Sequence, residues 1–169
     1  MKYGTMSYLS VNEKVLMIKK KVRKDDPNSG LYALPGGKLE DFEKGLSHPF
    51  GRLKSAVRET IDETGLRLIY PRLRGIILFD NSERVFDNWP NPDDYLVYIF
   101  ASRNYAGRLK DETDEGTPVW IDEKFINKVK KNVGDEKMYE WLKIQRYFVG
   151  VIRHKGRELD KEGTFADHF

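Results

Sequence analysis

Leu53, Lys54, Ser55, Ala56, Val57, Arg58, Glu59, Thr60, Ile61, Asp62, Glu63, Thr64, Gly65 and Leu66 form the stretch whose reading decides the fold. Apolar Leu53, Val57 and Ile61 recur at every fourth position, which predicts a helix that buries one stripe, with Ala56 and Thr60 at its edge and Gly65 as its stop. On this helix Glu59, Asp62 and Glu63 stand at i, i+3 and i+4. At about 100° per residue they fall within an arc of roughly 100° facing away from Val57. Like charges so spaced destabilise an isolated helix by about 0.2–0.5 kcal/mol per pair, so the pattern calls for a compensating cation, part of which Arg58 can supply. Oxygen ligands of this density suit a hard ion. Magnesium is favoured where phosphate and water complete the octahedron, with manganese as the alternative. Taken alone, such a face is more often ordinary solvated surface than a metal site.

Working outward, residues 7–22 alternate in the manner of a hairpin, with Tyr8, Val11, Val15, Met17 and Ile18 around Asn12 and Glu13. Turn formers crowd residues 23–30, a short strand is expected at 31–34, and Pro35, Gly36 and Gly37 punctuate the chain. Beyond the helix, residues 68–79, 95–101 and 119–121 are strand-like, and 80–94 reads as a polar loop placed to act as a substrate-side flap. Residues 122–132 and 136–145 read as helices, and 147–152, followed by a polar turn at 154–156, as the start of a closing hairpin. The expectation is an α/β (α+β) chain, a mixed β-sheet packed between helices, forming one domain over residues 1–169.

Composition narrows the function. With 39% hydrophobic and 12% aromatic residues in 169, the chain can build a real core, and 30 Lys and Arg against 27 Asp and Glu leave only +3, too little for a dedicated nucleic-acid binder. No stable nucleic-acid partner is therefore expected. The absence of cysteine removes disulfides, thiolate metal sites and cysteine nucleophiles, so metal chemistry must use oxygen or histidine. His48, His154 and His168 are too scattered for a ligand set and read as surface residues. No apolar run approaches a membrane span and no signal-peptide core follows Met1, so a cytoplasmic, membrane-free protein is expected, with a homodimer left open. Gly36 and Gly37 do not make a P-loop, because no Gly-Lys-Ser or Gly-Lys-Thr follows at the required spacing.

Gly36, Gly37, Lys38, Leu39, Glu40, Asp41, Phe42 and Glu43, leading to Arg58, Glu59, Thr60, Ile61, Asp62, Glu63, Thr64, Gly65 and Leu66, resemble the signature box of the Nudix hydrolases. Gly37 and Glu43 fit the first half of that pattern; Arg58, Glu59, Glu63, Gly65 and Leu66 fit the second. There are three departures. Fourteen residues, 44–57, separate Glu43 from Arg58, twice the family's count, which implies an insertion before the helix near Pro49 and leaves the reach of Glu43 open. Asp62 replaces a glutamate, and Thr60 an apolar residue. The resemblance implies a Nudix-type α/β/α sandwich and a metal-dependent phosphoanhydride hydrolase acting on nucleoside diphosphate derivatives. Metal ligands would come from Glu59, Asp62, Glu63 and the Gly37 carbonyl, with Arg58 orienting the carboxylates. The base that takes the proton from water would be Glu63 or Glu115, the latter because Asp114, Glu115 and Gly116 before Pro118, Val119 and Trp120 resemble the acidic loop of the MutT-like branch.

That branch implies a (d)NTP diphosphatase, with oxidised purine nucleotides among its candidate substrates, releasing NMP and pyrophosphate. The rivals are a pyrophosphatase for ADP-ribose, nucleotide sugars or dinucleoside polyphosphates, and a nucleotide-sensing domain without chemistry. Ala33, Leu34 and Pro35 stand where mammalian enzymes of the branch carry a base-reading asparagine. Candidate substrate contacts are Lys38 and Arg23 for phosphate, Tyr32 and Phe79 with Phe86, Trp89 and Tyr98 for stacking, and Asp114 in the acidic loop.

Overall fold

The computed structural model describes residues 1–24, 26, 28–40, 50–85 and 93–169. Glu43, His48, Pro49, Phe86 and Trp89, and with them residues 86–92 of the expected flap, lie outside the described residues. The hairpin forms as the alternation predicts: β1 (Lys2–Val11) and β2 (Lys14–Lys20) are joined by Asn12 and Glu13, both in the left-handed region at φ 49° and 60°, which suits the strand twist.

β1 organises the sheet. One edge pairs in parallel with β7 (Tyr95–Ser102); the other passes from β4 (Gly36–Lys38), opposite residues 4–6, to β2, opposite residues 10–11. β2 carries β3 (Tyr32–Ala33) and β9 (Gly116–Asp122), and β7 leads through β6 (Arg72–Arg84) to β10 (Phe148–Gly156), flanked by β11 (Glu158–Leu159) and β12 (Phe165–His168). Sharing one edge between two partners makes this mixed sheet curl. β5 (Leu66–Ile69) and β8 (Asn104–Gly107) form a separate pair.

Several expectations need correction. The strand expected at 68–79 is two strands, because Tyr70 turns the chain at φ 52° before Pro71, and β6 runs on to Arg84 through what reads as loop. Residues 122–132 hold only a short 3-10 helix, Glu123–Lys128, while the later helix spans Asp135–Lys143. The turn expected at 154–156 is strand, and the chain reverses at Arg157 instead. His154 is a buried residue, 1% exposed, whose Nε2 lies 2.8 Å from the Val133 carbonyl; burial lowers its pKa.

Helix α1 (Gly51–Thr64) ends on Gly65 at φ 79°, as its sequence predicts. Its inner face differs from expectation. Ser55, Ala56, Thr60, Glu63 and Thr64 are buried, whereas Leu53, Val57 and Ile61 are only half-buried. The cause is the surface it meets, because alternate residues of β1 present Thr5 and Ser7. Thr60 Oγ1 donates to Ser7 Oγ at 2.7 Å, Ser7 Oγ lies 3.3 Å from the Ala56 carbonyl, and Thr5 and Ser55 hydroxyls meet at 3.4 Å. Small hydroxyl side chains let helix and strand approach closely while each buried polar group keeps a partner. The other face of β1, with Met6 and Tyr8, packs on the main core of Val15, Met17, Ile77, Val97, Ile99, Tyr139, Trp141 and Phe148. The helix Asp135–Lys143, named α2 from here, closes that core with Met138, Tyr139, Trp141 and Leu142.

Candidate active site

The turn of the helix determines how its three carboxylates differ. With the buried face centred near Thr60, Glu63, Glu59 and Asp62 lie progressively farther round the helix. Glu63 is accordingly buried, the Glu59 side chain is 17% exposed, and Asp62 is exposed. The three therefore do not form one patch facing away from the packing. Among the described residues no group of three or more Asp, Glu or His side chains is placed to hold a metal ion. Glu59 and Glu63 instead flank the two glycines of β4.

Backbone leaves no room for a side chain at Gly36, and the Glu59 head group crowds Gly37. A Cβ on Gly36 would lie 2.1 Å from the Thr5 carbonyl oxygen, and one on Gly37 would lie 2.5 to 2.7 Å from the Glu59 carboxylate. The Gly36 N–H donates to Glu63 Oε2 at 2.8 Å. Lys20 at the end of β2 donates from Nζ to Glu63 Oε1 at 3.1 Å and to Glu115 Oε2 at 3.2 Å. Burial pushes the Glu63 carboxyl up from its ordinary pKa, against the opposing pull of Lys20 and the Gly36 N–H. Burial likewise opposes the charge on Lys20, but its two carboxylate partners prevail and raise its pKa. Arg58 Nη1 lies 2.7 Å from Glu59 Oε1 and 3.7 Å from Glu40, so it fixes the Glu59 head group from outside.

Two concavities meet at these carboxylates. A shallow groove is lined by Glu59, Asp62, Glu63, Lys110, Asp114 and Glu115. A deeper cavity of about 630 Å³ begins at Gly37, Lys38, Glu59, Glu63 and Glu115 and runs past Leu34, Phe79 and Tyr95 to a polar end at Asn81, Arg84, Asn132 and Asp135. At that end Arg84 Nη1 donates to Asn81 Oδ1 at 3.3 Å, a second guanidinium nitrogen meets Asn132 Oδ1, and Asn132 Nδ2 donates to Asn28 Oδ1 at 2.6 Å. Burial raises the Asp135 carboxyl to about 7 and lowers Arg84 to about 10, so the cost of desolvation outweighs their mutual attraction.

Of the expected site residues, Gly37, Lys38, Glu59, Glu63, Glu115 and Phe79 line the deep cavity, while Asp62 and Asp114 line the groove. Arg23 reaches the rim, 3.8 Å from Glu115 and bonded to the Asp114 carbonyl. Tyr32 is corrected: it lines neither concavity and packs on the main core. Tyr98 is instead covered by the Arg52 guanidinium, 4.6 Å from its ring centre. Lys20, Asn81, Arg84, Asn132 and Asp135 escape the sequence reading, since no local spacing connects them.

An all-oxygen donor set beside a glycine that leaves room for no side chain fits a hard divalent cation. Two carboxylates are few ligands for such an ion and leave coordination positions for water and substrate oxygens.

The comparisons with known proteins agree with this fold. The chain is 26% identical over 140 residues to the uncharacterized Nudix hydrolase YvcI of Bacillus subtilis, covering 82% of this chain and 77% of that protein. Its fold matches the MutT protein of Bacillus halodurans with a TM-score of 0.76 at 21% identity, over 99% of this chain and 98% of that one. It also matches the NUDIX domain of Shewanella oneidensis NrtR, solved with ADP ribose, with a TM-score of 0.65 at 12% identity, over 85% and 87% of the two chains. Residues 4–142, which include the glycine pair of β4 and the carboxylate helix, match the family model of the NUDIX domain, and on that match the chain belongs to the Nudix hydrolases.

Proposed function

We propose that this hydrolase splits a phosphoanhydride bond of nucleoside triphosphates, releasing a nucleoside monophosphate and pyrophosphate. The observation that carries this reading is one cavity among the described residues that is acidic and glycine-lined at one end and polar at the other. Its volume lies in the range of small-molecule sites, roughly 300–1,000 Å³. The polyphosphate belongs at the carboxylate end, and the base at Asn81, Arg84, Asn132 and Asp135, where donors and an acid that titrates near neutrality offer both hydrogen-bond polarities. Phe79 and Tyr95 line the way between them.

Glu59, Glu63 and the Gly37 carbonyl would hold magnesium or manganese, with Asp62 contributing through water from the groove. Such an ion offsets charge developing on the bridging oxygen and acidifies water. The protein's own groups do the rest. Arg58 fixes Glu59, Lys38 and Arg23 meet the phosphate chain at the mouth, and Glu63 or Glu115 accepts the proton of the attacking water. Asp114 keeps the acidic loop in register, since its carbonyl takes the Arg23 guanidinium. The absence of cysteine accords with a cytoplasmic setting, and no helix among the described residues is long and apolar enough to cross a membrane.

A second reading, hydrolysis of ADP-ribose or a related dinucleotide, is favoured by one observation: a domain of similar fold holds ADP ribose. A panel of nucleoside triphosphates, including oxidised purine forms, ADP-ribose and dinucleoside polyphosphates, assayed with magnesium for pyrophosphate against monophosphate, separates the two. Pyrophosphate release from a triphosphate is expected. Silence on every triphosphate with turnover of ADP-ribose would replace the first reading by the second.

A further inference from the structure

Lys20 is more enclosed than the other cations around the carboxylates, its side chain being 13% exposed against 31% for Arg58 and 47% for Arg23. The strand holds it there: alternation places Leu16, Ile18 and Lys20 on one face of β2, toward the helix, and Lys20 pairs across the ladder with Gly116, the residue after Glu115. A Cβ on Gly116 would lie 2.1 Å from the Lys19 carbonyl, so the backbone of the acidic loop is pressed against the end of β2. The ammonium consequently sits between Glu63 Oε1 and Glu115 Oε2, while the other Glu63 oxygen takes the Gly36 N–H.

An oxygen that holds an ammonium at 3.1 Å cannot also serve a divalent ion without bringing like charges together. Glu115, 41% exposed on the rim of both concavities, is the second acceptor already in contact with Lys20. We propose that Lys20 is a displaceable counter-cation: it neutralises Glu63 until a divalent ion takes that carboxylate, and Glu115 then retains the displaced ammonium at the mouth, facing the phosphate chain. Lys20 is thus a positioning residue that couples uptake of the metal to readiness for the polyanion. The inference rests on the metal-dependent reading proposed for this site.

Binding of Mn²⁺ in the absence of nucleotide, followed by the electron paramagnetic resonance of the free ion, tests it. K20M is expected to bind Mn²⁺ about tenfold more tightly than the unaltered protein, the effect of deleting one like charge a few ångströms from the ion. K20Q, which keeps a donor without the charge, should tighten binding likewise, and K20R should stay near the original affinity. Thermal unfolding of each variant shows whether it is folded. If Lys20 merely supported Glu63, K20M and K20Q would bind the ion equally or more weakly, and that result overturns the proposal. E115Q should weaken Mn²⁺ binding a few-fold on the Lys20 background and leave K20M unchanged, a double-mutant coupling. An equal loss on both backgrounds would make Glu115 a ligand in its own right and overturn the hand-off. Absence of Mn²⁺ binding in every protein would remove the metal reading along with it, whereas binding without tightening in K20M removes only the role of Lys20.

Discussion

Glu63 and Asp135 are both buried acids, 4% and 8% exposed, at opposite ends of one cavity, but they are surrounded differently. Glu63 has a cation and a backbone N–H on its two oxygens and opens to a groove lined by five further acidic residues, Glu59, Asp62, Glu112, Asp114 and Glu115. Burial dominates the ionisation of Asp135, against the charges of Arg84 and Lys131 and a backbone hydrogen bond with Asn132. An acid supplied with exchangeable positive charge is prepared to accept an ion. One held near its titration point by burial, beside the Arg84 guanidinium and the Asn132 amide, is prepared to read a hydrogen-bonding edge. On the function proposed above, one end of the cavity would react and the other would recognise.

The largest effect should come from the reacting end. Glu63→Gln keeps the size and an acceptor for the Gly36 N–H but removes the charge, and kcat should fall on the order of 10²-fold or more while the fold persists. Next come the adjacent glycines, which should fail in different ways. Gly37→Ala needs only the far end of the Glu59 side chain to move, so roughly tenfold of activity should be lost with little change in Tm. Gly36→Ala drives a Cβ into the Thr5 backbone and should cost about 1–3 kcal/mol of stability. Equal Tm values for the two would break the distinction drawn between them.

The recognising end should respond in binding. Asn132→Ala removes the bridge between Arg84 and Asn28 and should raise KM several-fold, about 1–3 kcal/mol being typical when buried partners are left unsatisfied, with kcat largely kept. Asp135 also predicts a pH dependence of stability. Its folded pKa of about 7 exceeds the ordinary 3.8, so between these values the native protein holds a proton that the unfolded chain releases. The stability it contributes is complete below about pH 4 and is lost as pH rises through 7, with a slope no steeper than about 1.4 kcal/mol per pH unit. In Asp135→Asn, denaturant unfolding across this window should lose that slope. The smallest effect belongs to Asp62→Asn on the exposed side of the helix, expected to change turnover by about twofold at most.

Much of the reacting end was legible in the sequence, because helical period, the Gly65 stop and the paired glycines are local signals that tertiary packing left in place. The inward turn of Glu63 was not legible. Apolar Leu53, Val57 and Ile61 mark one face, but β1 offers Thr5 and Ser7, and a helix of small hydroxyl residues packs on them more closely than a leucine stripe would. Lys20 was hidden by the alternation of an apolar strand, which says which face a residue takes but not what waits there. Asn81, Arg84, Asn132 and Asp135 come from the end of a long strand and the approach to α2, and only the curl of the sheet brings them together.

The division of labour between the two ends is tested most directly by equilibrium binding of a non-hydrolysable, methylene-bridged nucleoside triphosphate, with and without Mg²⁺, to the unaltered protein, Glu63→Gln and Asn132→Ala. Asn132→Ala should weaken binding by the same factor whether or not Mg²⁺ is present, and Glu63→Gln should abolish only the gain that Mg²⁺ brings. The reverse pattern, or a Mg²⁺ gain untouched by Glu63→Gln, would contradict the account.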